Sequence, residues 1–269
     1  MPFSCKLVTP ERNPLSTHRI VESPLRAPAA KVLKMNAHPS NLILNNLPPQ
    51  LSFLSRLTAI PLPVGTALYE AHEVPKFAHF LTSGIASVVT TMKDGGIAET
   101  GMWAREGLAE CMHLAGSDRV PSRCFMQMGG SALRMPYADL EHQFESLLVL
   151  RAGIQRSIQT QALILGQLVA CNRLHEVEER LARWLLMLQD RIQEDVLLIT
   201  QEFLAEMLGS RRTTVTLAAG ALQRIGLIEY QRGRVHILDR QRLESAACEC
   251  YPVIRKLSNA LPDRIPLSS

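Results

Sequence analysis

Ile199-Thr200-Gln201-Glu202-Phe203-Leu204-Ala205-Glu206-Met207-Leu208-Gly209-Ser210-Arg211-Arg212-Thr213-Thr214-Val215 is the stretch on which the reading of this 269-residue chain turns. Thr200 suits a helix N-cap, and Phe203, Leu204, Met207 and Leu208 then share one face of a short helix, Phe203 to Leu208. Gly209 ends it, because glycine alone takes at no steric cost the positive φ that a tight interhelical turn needs. A second helix starts at Ser210 or Arg211 and runs to Arg224, with Val215, Ala218, Ala219 and Leu222 at core spacing. Its other face carries Arg211, Arg212, Thr213, Thr216 and Leu217. A short helix, a glycine turn and a helix with a basic, hydroxylated amino-terminal face make the arrangement that inserts side chains into a DNA major groove.

The sequence beyond this motif agrees with that reading. Leu227-Ile228-Glu229-Tyr230 and Val235-His236-Ile237-Leu238 alternate as strands around Gln231-Arg232-Gly233-Arg234, a hairpin with a basic tip. Between Arg211 and Arg242 lie seven arginines and only two acids, Glu229 and Asp239, a local excess of +5 in a chain whose net charge is +4. Arginine reads phosphates and guanine edges with a planar fork, so the type of cation matters as well as its position.

Upstream, Asp139-Leu140-Glu141 opens a proline-free stretch reaching Ile192. Leu147, Leu150, Ile154, Ile158, Ala162, Leu165 and Val169 step by three or four, which predicts one continuous apolar stripe on a long helix. That is more apolar surface than one side of a small sheet needs, so the surplus is expected to face a second copy. A further helix is expected from His175 or Glu176 to Ile192, its Glu176, Glu178 and Glu179 complementing the helix dipole. Before residue 138, turn signals at Pro63-Val64-Gly65, Thr82-Ser83-Gly84, Lys93-Asp94-Gly95-Gly96 and Glu106-Gly107 separate short runs of β-formers: 67–69, 77–81, 85–91, 97–101, 124–128 and 132–135. Such spacing predicts an antiparallel barrel or roll. Asn41 to Leu57 reads as a short helical stretch, and residues 1–40, with six prolines, as a flexible leader. The division expected is 1–40 leader, 41–138 β-roll, 139–174 dimerisation helix and 175–269 winged helix-turn-helix.

On these residues the chain resembles the Crp/Fnr family of bacterial transcription regulators, from about residue 45 to 250. The resemblance implies an α+β fold: an amino-terminal antiparallel β-roll of the cyclic-nucleotide-binding kind, a long dimerisation helix and a carboxy-terminal winged helix-turn-helix. It implies a homodimer that binds double-stranded DNA at a two-fold symmetric site, with RNA polymerase as a further partner; a cytoplasmic location is expected from the scattered cysteines and from an amino terminus without a basic-then-apolar signal pattern. Arg212 falls where the family contacts guanine. Thr213 stands where relatives similar to the cyclic-AMP receptor carry a Glu, and Leu217 where they carry a second base-contacting Arg, so the operator is expected to differ from theirs. Arg211 and Thr216 are further candidates from the exposed face, and Arg232 and Arg234 are the wing's phosphate contacts.

Nucleotide-binding relatives hold the ribose with a Glu after a Gly, and the cyclic phosphate with an Arg followed by Ser or Thr. Here Glu110 aligns with that Glu, but Ala109 replaces the Gly and Val120-Pro121 replace the Arg-Ser pair. A phosphate left unpaired in such a pocket is costly, so cyclic-AMP binding is not expected. Arg119 and Arg123 flank the gap and, with Glu110, form the candidate pocket for another anionic effector, whose identity stays open. No metal or cofactor is expected. Cys5, Cys111, Cys124, Cys171, Cys248 and Cys250 are dispersed, and Cys248 and Cys250, two apart on a helix, point about 200° apart, which is poor for chelation and reads as buried thiols.

No apolar run has the length of a membrane span, and Gly-x-Ser-x-Gly, Gly-x4-Gly-Lys-Ser/Thr and His-Glu-x-x-His are all missing, so a non-enzymatic protein is expected. Two alternatives stand beside the DNA reading. One is a ligand-sensing or protein-interaction module whose winged helix binds a partner protein; the other is a regulator that depends on a nucleotide-like anion in the roll.

Overall fold

In the computed structural model, residues 40–117 and 119–259 are described. The leader, including Cys5, therefore lies outside the described residues. The first half is a five-stranded antiparallel sheet built from β1 (Thr58–Leu62), β2 (Ala67–Tyr69), β3 (Phe77–Thr91), β4 (Ile97–Trp103) and β5 (Arg123–Pro136), in the order β1-β5-β3-β4 with β2 also on β5. The runs 77–81 and 85–91 are one strand, and 124–128 and 132–135 are another. What reads as a turn at Gly84 is a bend inside a continuous strand. Gly84 has φ +80, and a Cβ there would lie 2.6 Å from the Met128 carbonyl oxygen, so glycine lets the two long strands cross while paired.

The stretch 41–57 is only partly helical. Asn41 caps the single turn α1 (Leu42–Asn45), accepting from the Ile43 and Leu44 amides. Pro48-Pro49 then interrupt the helix, and a 3₁₀ turn, Ser52–Arg56, follows.

The expected long helix is two. α2 (Tyr137–Ser146) ends at Leu147, whose backbone is extended, and α3 (Leu148–Leu174) begins at once. Arg151 holds the break: its Nε donates to the Phe144 carbonyl at 2.9 Å and its Nη2 to that of Glu145, taking up carbonyls that α2 leaves open. The continuous stripe is also corrected. Leu150 and Ile154 are buried against the roll, whereas Ala162 and Val169 face outward. Each step of four residues overshoots a full turn by about 40°, so a row of such steps winds from one face of a straight helix to another.

α4 (Val177–Ile192) forms the centre of the second core. Glu176 and Glu179 close a capping box at its start. Leu181, Trp184, Leu185 and Leu188 are buried, each contributing about 1.5–3 kcal/mol by leaving water. Around it pack α5 (Gln201–Leu208), α6 (Arg212–Arg224), α7 (Arg240–Ala246) and α8 (Cys250–Asn259), with a sheet of β6 (Val196–Leu198), β8 (Arg234–Ile237) and β7 (Ile228–Gln231). Cys248 precedes α8 and lies outside any helix, so the helical-phase argument that set it apart from Cys250 does not hold.

Candidate nucleic-acid interface

Thr200 caps α5 by accepting from the Phe203 amide at 3.2 Å, and Gly209 ends the helix with φ 57 and ψ 41. The Ser210 amide reaches back to the Ala205 carbonyl at 2.9 Å, which fixes the turn. A Cβ on Gly209 would touch only Ala98 Cβ, at 3.5 Å, so the cost of Gly209→Ala is that of the left-handed backbone. That variant should lose about 1–2 kcal/mol in urea melts.

The turn presents α6 with Val215, Ala218, Ala219 and Leu222 inward. Arg211 as N-cap, with Arg212, Thr213, Thr214, Thr216 and Leu217, faces solvent, and Leu217 is 69% exposed. Thr216 is already engaged: its hydroxyl lies 2.9 Å from both the Arg212 carbonyl and Gln201 Oε1. It therefore ties α6 to the start of α5, a link that the sequence does not announce. The wing turns through Arg232 (φ 50) and Gly233 (φ 74), the two positive φ values of a tight hairpin, and Arg232 and Arg234 are exposed on it. The Ile199 amide donates to the Gly233 carbonyl at 2.8 Å, docking the wing on the residues that precede α5.

Two of the seven arginines are engaged by partners within the protein, though Arg242 stays exposed. Arg240 donates to Gln189 Oε1, Asp190 Oδ1 and the Tyr251 hydroxyl at 2.6–2.7 Å and pairs with Glu244. Arg242 donates to the Ile225 carbonyl at 3.1 Å. Arg211, Arg212, Arg224, Arg232 and Arg234 are the exposed remainder.

The candidate effector residues do not form an open pocket together. Glu110 is fully buried; the His79 amide donates to its Oε2 at 2.8 Å and His79 Nδ1 lies 2.7 Å from its Oε1. Arg119 donates to the His72 carbonyl, and Arg123 pairs with Glu70 at 3.1 Å while lying over Phe125. A narrow cleft opens elsewhere, between β4, α3, α4 and α5, lined among others by Glu99, Gln161, Trp184 and Arg191.

Glu99 and its neighbours tie the roll to α4. Ser87 Oγ donates to Glu99 Oε1 and Trp184 Nε1 to Oε2, each at 2.7 Å, and Arg191 pairs with Glu106 at 2.7 Å. Desolvation pushes the Glu99 carboxyl from its ordinary 4.5 up to about 7, against the opposing pull of the two hydrogen bonds and of Arg183 and Arg191. Because the folded pKa is the higher one, this contribution to stability is full below about pH 4.5 and is lost as pH rises through about 7. Glu99→Gln should flatten that part of the stability profile, worth a few kcal/mol at most, in urea melts across pH 4–8.

Residues 179–246 match the model of the Crp-like helix-turn-helix domain. No curated protein sequence matches the chain. Among solved structures it is similar to FixK2 from Bradyrhizobium japonicum, at 13% identity and TM-score 0.60 over 71% of this chain and 98% of that one. It is similar to a Crp/Fnr-family transcriptional regulator from Thermus thermophilus, at 20% identity and TM-score 0.56 over 71% of this chain and 98% of that one. It is likewise similar to the c-di-GMP-responsive global regulator CLP of Xanthomonas campestris, at 18% identity and TM-score 0.56 over 70% of this chain and 96% of that one. Residues 179–246 are a Crp-like helix-turn-helix domain, and the fold that carries it is that of solved Crp/Fnr-family regulators.

Proposed function

We propose that the chain regulates transcription as a homodimer, each protomer laying α6 in the major groove of one half of a two-fold symmetric operator. The observation that carries this reading is the exposed, cationic amino-terminal face of α6 beside an equally cationic wing. Arg212 reads a guanine edge, Thr213 and Arg211 lie beside it, and Leu217 offers an apolar contact suited to a thymine methyl. Arg232 and Arg234 grip phosphates alongside. Thr216 orients α6 through Gln201 and Arg212 instead of reaching a base. The half-site centres are expected about 34 Å apart.

The second copy is supported by α3. At about 100° per residue, Ala162, Leu163, Gly166, Val169, Ala170 and Leu174 fall within an arc of about 140°, opposite the face buried on the roll. Leu163, Val169 and Leu174 are 53%, 70% and 75% exposed in the single chain. The small residues among them allow two such helices to approach closely along about 18 Å of α3, from Ala162 to Leu174.

No cyclic-AMP requirement is part of this reading, since Glu110 is committed to His79 and Pro121 lacks an amide for a phosphate. Selection of bound sites from random duplexes tests the whole proposal. Recovery of a palindrome bound with a steep inverse salt dependence is the expected result. Salt-insensitive binding, or none at low ionic strength, would favour a partner protein on the same face. Saturable heat with cyclic AMP that vanishes in Glu110→Ala would overturn the ligand part.

A further inference from the structure

Away from the DNA face, four soft-donor side chains from two distant segments converge. Cys171 lies in the last turn of α3, His175 just beyond it, Cys248 before α8 and Cys250 at its first residue. Their ligand atoms all lie within 4.8 Å of one another. Cys171 Sγ is 3.5 Å from Cys248 Sγ, and Cys250 Sγ is 3.6 Å from His175 Nδ1.

Tetrahedral zinc, with Zn–S of about 2.3 Å and Zn–N of about 2.0–2.1 Å, sets two thiolates about 3.8 Å apart and a thiolate and an imidazole nitrogen about 3.6 Å apart. The Cys171–Cys248 and Cys250–His175 pairs already stand at about those separations, and all four ligand atoms lie within 4.8 Å, about 1 Å of closing on one ion. Local structure explains how. Cys171 and His175 are four apart at the end of one helix and share a face. The turn at Cys248, where the Tyr251 amide donates to the Cys248 carbonyl at 3.0 Å, lets Cys248 and Cys250 aim at the same point.

The surroundings are those of a ligand set. His175 Nε2 lies 3.0 Å from Glu249 Oε2, which fixes the tautomer that leaves Nδ1 free to coordinate. Gln167 Nε2 donates to Cys250 Sγ at 3.1 Å. All three cysteines are buried. Three thiols and an imidazole select a borderline-soft divalent ion over magnesium or calcium, and four protein ligands leave no open position for catalysis. An iron-sulfur core would hold its thiolates farther apart than they stand here. A Cys171–Cys248 disulfide would leave Cys250, His175 and the Glu249 contact without a role.

We propose that Cys171, Cys248 and Cys250 as thiolates and His175 through Nδ1 bind one zinc ion, clamping the end of α3 to the segment that follows the wing. Binding releases the three thiol protons to solvent. The clamp joins residues 77 apart in sequence and encloses α4, the helix-turn-helix, the wing and α7 between its two ends. It fixes how these elements are held on α3.

Metal content of the untagged full-length protein, purified under reducing conditions, is expected to be one zinc per protomer. Cobalt(II) replacing it should give tetrahedral d–d bands and thiolate-to-metal charge transfer. Cys248→Ser and His175→Ala should weaken zinc binding by more than about 100-fold in chelator competition, and Glu249→Gln by about 10–100-fold. Glu249 has a side chain 78% exposed, so its variant keeps the fold and tests the site even where a ligand variant unfolds. Cys124→Ala, altering a buried thiol of the roll, should retain its zinc. Substoichiometric zinc with no cobalt spectrum in the folded wild type would overturn the proposal. So would zinc unaffected by Cys248→Ser and Glu249→Gln, or a Cys171–Cys248 disulfide in the reduced, metal-treated protein. None of these readouts involves DNA, so the site stands or falls apart from the operator reading.

Discussion

The double variant Leu163→Asp/Val169→Asp should sediment as a monomer and lose about 10²–10⁴-fold in affinity for a full palindromic operator, the size of the avidity that two linked half-sites confer. Binding to an isolated half-site should stay within a few-fold of wild type. Both side chains are exposed in the single chain, at 53% and 70%, so charge there costs the protomer's own fold little. Two copies meeting along this face would instead bury four carboxylates without partners, which a seam of small apolar residues has no means to offset. Thermal unfolding at low concentration should therefore be nearly unchanged, and the concentration dependence of melting should vanish. A double variant that remains dimeric would move the second-copy contact off α3.

The parts of this molecule that were legible in the sequence are those whose determinants lie close together in the chain. The Thr200 cap, the apolar face to Leu208, the left-handed Gly209 and the outward Arg211-Arg212-Thr213 all fall within a few turns, and each is decided by its neighbours. The wing is equally local: two short alternating runs and an Arg-Gly tip. The roll was read correctly as antiparallel but cut into too many strands. A glycine that relieves a close crossing of two strands, as Gly84 does against Met128, looks in one dimension like a glycine that ends a strand. The stripe on α3 failed for a different reason: steps of four residues wind slowly around a helix, and a row of them serves two faces in turn.

What joins the halves left no local signal. Glu99 and Trp184 are 85 residues apart, as are Glu106 and Arg191, and nothing in either segment marks its partner. Arg240 and Arg242 counted toward the basic patch until folding gave them carboxylate and carbonyl partners. The cysteines were the reverse case. Treating Cys248 and Cys250 as one helix set them apart, whereas the break before α8 and the fold of α3 against it bring them together with Cys171 and His175.

Arg212→Ala and Arg232→Ala should fail in different ways, and the difference tests the assignment of α6. Loss of a bidentate contact to guanine costs about 1–3 kcal/mol at one base pair and relaxes the preference there, so the variant should bind consensus and single-base variants of the operator almost equally. Loss of a wing arginine removes a phosphate contact. Affinity should fall by a similar factor for every duplex, and the slope of log K against log salt should decrease by about 1 for each such contact removed. Lysine separates the two roles further: Arg232→Lys keeps a point charge near a phosphate and should restore most of the affinity, whereas Arg212→Lys lacks the planar fork and should not restore specificity. Leu217 supplies a second axis. An apolar side chain 69% exposed on the recognition face gains nothing in free solution, and Leu217→Arg should shift the preferred base at its position toward guanine without loss of fold stability. If Arg212→Ala instead lowered affinity for all sequences alike, α6 would be gripping the backbone and the base-reading face would have to be sought on another element.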